Sequence, residues 1–296
     1  MPELCLLAVH AHPDDEASKG APTIARYHAA GVRTVLVTCT GGEEGDILNP
    51  AMDLPGVRER LEALRREELD RAAAIIGYDE VVLLGYRDSG MPGSPANADP
   101  RSFAAAPLDE AAGRLVEVIR RARPQVVITY PAEQSAYPHP DHLRVAEVCG
   151  LAFDAAGDPD RYPEAGPPWQ PLRLCSVRWP AKRIRAMHEK FLELGLESPY
   201  TEGRMARLLD AEVRDAAGTP GPAVLVDVRG FAAVTRQALL AHATQVDPTS
   251  PHWFGLPPEV ADEIYPYDEY EIVRDLTGAA ETSGDLFAGI EVVGAR

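Results

Sequence analysis

Four short apolar runs rich in β-branched residues, "LCLLAVH" (4–10), "RTVLVTC" (33–39), "EVVLLGY" (80–86) and "PQVVITY" (124–130), alternate with helical patterns near 17–30, 57–77 and 108–122. Runs of that length without polar alternation suit strands covered on both faces, and the intervening helices supply the crossovers. The pattern therefore predicts an α/β fold: a mainly parallel sheet with helices on both faces. In such sheets ligands lie beyond the carboxyl ends of the strands, so those ends are where chemistry is to be sought.

The second half is less regular. A Pro/Gly-rich connection, "DAAGDPDRYPEAGPPWQP", precedes a strand in "LRLCSVRW", a helix over 181–194, a strand over 223–228 and a helix through "FAAVTRQALLAHATQ". No internal repeat and no low-complexity tract interrupts it. We read residues 1–296 as one catalytic domain, a Rossmann-like core over about 3–165 with a smaller C-terminal part over 166–296 that walls the active site.

Composition narrows the partners. With a net charge of -17 and no concentrated basic patch, the chain is not expected to bind nucleic acid or an anionic membrane. No apolar run approaches the roughly 20 residues of a membrane span, and no basic leader stands at the N-terminus, so a cytoplasmic address is expected. Cys5, Cys39, Cys149 and Cys175 are scattered and lack a CxxC pair, which predicts buried reduced thiols. Oligomeric state has no signature here.

Two strand ends carry unusual residues. "HAHPDDE" follows the first strand and supplies His10, His12, Asp14, Asp15 and Glu16; "YPHPDH" follows the fourth and supplies His139, Asp141 and His142. Each contains a proline that stops the strand and turns the backbone. Acids cap helices commonly, but capping does not explain four histidines and three aspartates at two such positions. Two histidines and a carboxylate around a divalent ion, with one position left for water, make a hydrolytic site. A spare carboxylate would act as general base, and a spare histidine as acid or oxyanion donor.

At these residues the sequence resembles the LmbE-like, or PIG-L-type, zinc-dependent N-deacetylase superfamily, whose hallmarks are "HPDDE" and "HPDH". The resemblance implies His12, Asp15 and His142 as ligands of one Zn²⁺ per chain, with Fe²⁺ the alternative, and Asp14 as general base. It further implies His139 as acid or oxyanion donor, Asp141 as the group orienting it, and Tyr137 as an aid at the oxyanion. Longer segments, among them "VTCTGGEEGDILNP", "LGYRDSGMP", "GLESPY" and "ALLAHATQVDP", are similar to the branch of amidases that cleave mycothiol S-conjugates. Lys19 fits that branch, whereas the sister deacetylase branch tends to a small polar residue there.

Carried over residue by residue, Arg65 and Asp88 would contact the sugar and inositol hydroxyls, although "LRREEL" alone reads as an exposed helix face and "RDSG" as a turn. The implied substrate is a small pseudodisaccharide thiol conjugate, cleaved to a mercapturic acid and glucosaminyl-inositol in detoxification or natural-product biosynthesis. Deacetylation of N-acetylglucosaminyl-inositol is the alternative, as is an amidase dedicated to a thiol-conjugated intermediate. Gly41 and Gly42 are expected to let the backbone pass close to substrate. Residues 85–109 form a long irregular segment expected to bound the S-substituent. His242, a lone histidine in a helical pattern, reads as packing or as supporting the site from behind rather than as a ligand, and Trp253 and Phe254 read as packing residues that could alternatively line an apolar part of the pocket.

Overall fold

The computed structural model describes residues 4–215, 222–279 and 282–291. In chain order the elements are β1 (Cys5–His10), α1 (Asp15–Ser18), α2 (Ala21–Ala29), β2 (Arg33–Thr40), α3 (Leu61–Ile76), β3 (Glu80–Tyr86), α4 (Leu108–Ala122), β4 (Val126–Thr129), α5 (Pro140–Ala156), β5 (Arg173–Arg178), α6 (Ala181–Glu193), α7 (Glu202–Asp215), β6 (Ala223–Asp227), α8 (Ala232–Ala241), α9 (Pro251–Phe254), α10 (Pro258–Ile264) and β7 (Tyr267–Asp275). Seven strands form one sheet in the order β3-β2-β1-β4-β5-β7-β6. The first five run parallel; β7 is antiparallel to both β5 and β6.

Every residue of β1 is buried, as expected of a strand with neighbours on both sides and helices on both faces. Leu7 pairs with Val35 of β2 on one side and Val127 of β4 on the other. From β1 the chain moves outward through β2 to β3, then returns across β1 to lay down β4. The sheet's direction of winding therefore reverses between β1 and β4. At such a switch point the two following loops part and leave a crevice.

Strands of both halves share the sheet and one apolar cluster, which joins Leu6, Val37 and Val127 to Val224, Leu239 and Ile272. All four cysteines are buried, and none forms a disulfide. No helix among the described residues is long and apolar enough to cross a membrane.

Three features depart from the sequence expectations. The helix over 17–30 is two helices, because Gly20 adopts φ 90° between α1 and α2, and a Cβ there would lie 2.6 Å from the Tyr270 hydroxyl oxygen. Helices α5 and α7 go beyond the expected set. So does β7, whose "YDEYEIVRD" is too acidic to read as a strand. Its acids are accommodated by partners: Asp268 Oδ2 accepts the Thr23 hydroxyl at 2.8 Å and Asp268 Oδ1 faces Arg183 at 3.3 Å, while Glu269 meets Lys182 at 2.6 Å.

Arg173 shows how the added strand is fastened. It is fully buried in β5 and donates to Asp275 Oδ2 at 3.0 Å, to the Leu286 carbonyl at 2.6 Å and to the Ala288 carbonyl at 3.0 Å. Replacing it by methionine keeps volume but strands these acceptors. We expect Arg173→Met to lose about 3 kcal/mol in urea denaturation; a loss below about 1 kcal/mol would show that the fastening is minor.

Candidate metal centre and active site

The loops after β1, β3 and β4 converge at the switch point on the imidazole of His12. Its Nε2 lies 3.2 Å from Asp141 Oδ2 and 3.4 Å from Asp88 Oδ1, and its Nδ1 lies 3.4 Å from Asp15 Oδ2. Asp15 Oδ2 is also 3.3 Å from His142 Nε2, so the structure brings His12, Asp15 and His142 together. Two further groupings have ligand atoms within 4.8 Å of one another: His12 with His139 and His142, and His12 with Asp88 and Asp141. All these residues are buried.

Burial lowers the pKa of His12, yet hydrogen bonds donated by its ring to Asp141, Asp15 and Asp88 raise it well above its usual value. Asp15 is held well below the carboxylate range: burial opposes this, but Lys19 and His142 outweigh it. Carboxylates packed this closely around one buried ring demand positive charge. Nitrogen and oxygen donors in this number suit Zn²⁺ or Fe²⁺, so the residues present fit the implied metal.

Asp14 stands beside the cluster in a strained backbone. Its φ of 109° is left-handed and costs a non-glycine residue about 1–2 kcal/mol. Three buried groups hold it there. Arg65 donates to Asp14 Oδ2 at 2.9 Å and to the Pro13 carbonyl, while Glu16 Oε2 accepts the Asp14 N–H at 2.9 Å. Glu16 Oε1 in turn pairs at 2.5 Å with His242 Nε2, both side chains being fully buried. Burial raises the Asp14 pKa against the pull of Arg65.

Arg65 thus does not sit on a solvated face. It is 2% exposed, and its Nη1 donates to the Gly42 carbonyl at 2.5 Å. Gly42 has φ 70° and packs against the Arg65 guanidinium, so the close approach that requires glycine is to a protein group. Asp88 is likewise turned inward, with Oδ1 accepting the Gly90 N–H at 2.8 Å beside His12. Lys19 donates to Asp15 Oδ1 at 2.5 Å and lies 5.7 Å from the centre of the Tyr130 ring.

His139 precedes α5, and its Nδ1 accepts the backbone N–H of Asp141 at 3.2 Å. Burial together with His12 and His142 pushes its pKa down to about 4. The ring is then neutral at ordinary pH with its proton on Nε2, a hydrogen-bond donor. The Asp141 carboxylate does not reach His139. It accepts the Ser89 N–H at 2.9 Å, accepts the Ser89 hydroxyl and faces His12, so the group orienting His139 is the backbone amide of Asp141. Tyr137 is half exposed at the rim, with its ring centre 6.0 Å from that of His139.

Sequence reasoning passed over Ser89, which braces Asp141, and Tyr130, which stacks on His142 with centroids 4.5 Å apart and planes 6° from parallel. It also assigned Glu16 no role; His242, read as packing or as supporting the site from behind, takes the second of these through Glu16. The only signal was position: Tyr130 closes the fourth apolar run, and Ser89 follows Asp88 in "RDSG".

The chain has clear relatives among known proteins. The profile of the PIG-L family, GlcNAc-PI de-N-acetylase, matches residues 7–153. The chain is 42% identical to the mycothiol S-conjugate amidase of Streptomyces coelicolor, over 97% of this chain and 98% of that protein. It is 40% identical to the 1D-myo-inositol 2-acetamido-2-deoxy-alpha-D-glucopyranoside deacetylase of Streptomyces avermitilis, over 98% of both. Among solved structures, the N,N'-diacetylchitobiose deacetylase of Pyrococcus horikoshii shares the fold, with a TM-score of 0.60 at 18% identity over 95% of this chain and 88% of that one. A teicoplanin deacetylase in a zinc-inhibited form does so with a TM-score of 0.54 at 15% identity, over 92% of this chain and 98% of that one.

The Glu16–His242 pair yields a test of how the strained turn is held. Against the desolvation of both groups, each partner favours the charged form of the other, lowering the Glu16 pKa and raising that of His242. The stabilisation is complete above the usual carboxyl value of 4.5 and below the usual imidazole value of 6.5. It is lost as pH falls through the lowered Glu16 pKa or rises through the raised His242 pKa. Urea denaturation of metal-stripped protein is expected to place wild type about 3 kcal/mol above Glu16→Gln within that window, and closer to it on either side. A difference independent of pH would contradict the ion pair.

Proposed function

We propose, from the premise that the chain belongs to the PIG-L family of GlcNAc-PI de-N-acetylases, that it is a metal-dependent amide hydrolase acting on mycothiol S-conjugates. The scissile bond joins an S-substituted N-acetylcysteine to the amine of glucosaminyl-inositol. A role in thiol-dependent detoxification, or in natural-product biosynthesis, follows from that substrate. The observation that carries this reading is the meeting of the two His/Asp clusters at the switch point, with Asp14 held beside them by Arg65.

His12, Asp15 and His142 would hold the metal, Zn²⁺ or Fe²⁺. When bound, such an ion polarises the amide carbonyl and makes water more acidic, toward a pKa of about 7. The remaining steps belong to the chain's own groups. Asp14 takes a proton from the attacking water and returns it to the departing amine, its carboxylate kept in place by Arg65. His139 donates from Nε2 to the oxygen that gains negative charge, and Tyr137 assists from the rim. Asp88 and the Asp141 carboxylate fix His12 from the opposite edge of its ring.

A cavity of about 620 Å³ reaches the site at Pro13 and is bordered by Gly41, Glu43, Glu62 and Arg87. Glu43 Oε2 is buried there without a hydrogen-bond partner among the described residues. Glu43, Glu62, Arg66, Arg87 and Arg101 give this cavity hydrogen-bond partners for the hydroxyls of a pseudodisaccharide, and Asp88 stands at the same flank, its N–H donating to Glu43 Oε1 at 3.1 Å. Arg65 donates through its two terminal nitrogens to Gly42, Pro13 and Asp14, and its Nε is buried without a hydrogen-bond partner among the described residues.

The sister deacetylase activity is the second reading, favoured by the 40% identity to the Streptomyces avermitilis enzyme. Lys19 supports the amidase. Comparison of kcat/KM on an S-benzyl conjugate and on N-acetylglucosaminyl-inositol decides between them, with the conjugate expected to be preferred. Asp14→Asn is expected to keep its metal by elemental assay and lose about 10²–10⁴-fold in kcat; full activity in that variant would remove Asp14 from the mechanism.

A further inference from the structure

Ser89 is fully buried between the loop after β3 and the start of α5, and each of its polar atoms has a partner. Its N–H donates to Asp141 Oδ2 at 2.9 Å and its hydroxyl donates to Asp141 Oδ1. The same hydroxyl accepts the Ala104 N–H at 2.9 Å, and the Ser89 carbonyl accepts the Asn97 side-chain amide. Asp141 Oδ2 also faces His12 Nε2 at 3.2 Å.

What each group can do fixes the direction of these bonds. An N–H only donates, so the Ala104 amide takes up the hydroxyl as an acceptor and leaves its single proton for Asp141. A carboxylate only accepts, so the ring nitrogen that faces Asp141 must carry a hydrogen. Asp88 Oδ1, 3.4 Å from the same nitrogen, makes the same demand. A neutral imidazole has one such hydrogen, and with it on Nε2 the lone pair is on Nδ1, the atom 3.4 Å from Asp15 Oδ2. Asp15 Oδ2 is in turn 3.3 Å from His142 Nε2.

We infer that Ser89 is a positioning residue for the metal: by holding both oxygens of Asp141 it keeps the proton of His12 on Nε2 and commits Nδ1 to the ion. The inference rests on the reading of His12, Asp15 and His142 as ligands, and adds the group that selects the ligating atom. The selection matters because the ring stands between two sets of oxygens. An ion on the other edge, with Asp88 and Asp141, would compete with both Ser89 donors for one carboxylate. A ligating histidine that gives its second N–H to a carboxylate is fixed in tautomer and orientation and is a more basic ligand. A carboxylate free to turn would supply neither, and the two donors of Ser89 stop it from turning.

The surrounding chain makes Ser89 a firm support. Asn97 holds the Ser89 carbonyl with its Nδ2 while its Oδ1 accepts the Gly93 N–H at 2.9 Å. The Phe103 N–H donates to the Arg87 carbonyl at 2.8 Å, closing the segment on itself just beyond β3. Arg144, three residues after Asp141 on α5, donates to the carbonyls of Ala104 at 2.7 Å and Ala106 at 3.0 Å. The helix that carries Asp141 and the segment that carries Ser89 are thus joined at two places, and the irregular stretch 85–109 braces the metal centre.

The test reads the metal and not the reaction, so it is independent of which substrate is turned over. Zinc affinity, measured by competition with a chromophoric chelator, is expected to fall about 10–100-fold in Ser89→Ala and to recover in Ser89→Thr, which restores the hydroxyl. Urea denaturation of the metal-stripped proteins runs alongside. If Ser89→Ala lost stability but kept wild-type zinc affinity, Ser89 would support the fold alone and the inference would be overturned. A second measurement needs no variant: in zinc-loaded wild type with nitrogen-labelled histidine, NMR is expected to find the His12 proton on Nε2 and the ion on Nδ1. The reverse would also overturn the inference while leaving His12 a ligand. Undiminished zinc affinity in His12→Ala would instead defeat the ligand reading, and this inference with it.

Discussion

Carboxylates of Asp15, Asp88 and Asp141 crowd the single buried imidazole of His12, and much of the surrounding structure answers the charge that this concentrates. Uncompensated, such a group of acids would take up protons or spread apart. Lys19 neutralises Asp15, Ser89 donates twice to Asp141, and Gly90 donates to Asp88. A divalent cation completes the same balance with more charge in less space. The demand for positive charge follows from the donor set and its burial.

Strain at Asp14 belongs to the same economy of positions. Asp14 and Asp15 are consecutive, yet one carboxylate faces the ligand cluster and the other pairs with Arg65. The left-handed turn at Asp14 separates the two roles. Its cost is met by groups far away in sequence, Arg65 on α3 and His242 at the end of α8, the latter acting through Glu16. The C-terminal half therefore enters the site through His242, behind the turn. Its own fold depends on β7, an acidic strand made tolerable by Arg173, Arg183 and Lys182.

Much was legible in advance because it rests on local patterns. The first five parallel strands, β6 and the helices α3, α4, α6 and α8 announce themselves through apolar periodicity, which depends on neighbouring residues alone. The two clusters are visible because acids and histidines at strand ends have few structural uses. β7 was hidden, since its acids are satisfied by partners distant in the chain. Arg65 was hidden for the same reason: an arginine on a helix rich in Arg and Glu looks exposed until the loop of Pro13 and Gly42 is seen to cover it.

By itself the sequence determined the parallel α/β core and the donor types at two of its strand ends, because strand period and residue chemistry are local properties. Tertiary structure alone decided the partners. It turned the Asp141 carboxylate to His12 and its backbone amide to His139 Nδ1, aimed Arg65 at Asp14, and joined Glu16 to His242. Each of these follows from which loops meet across the β1–β4 switch point and from how distant charges find one another once buried, and neither is written in any short stretch of chain.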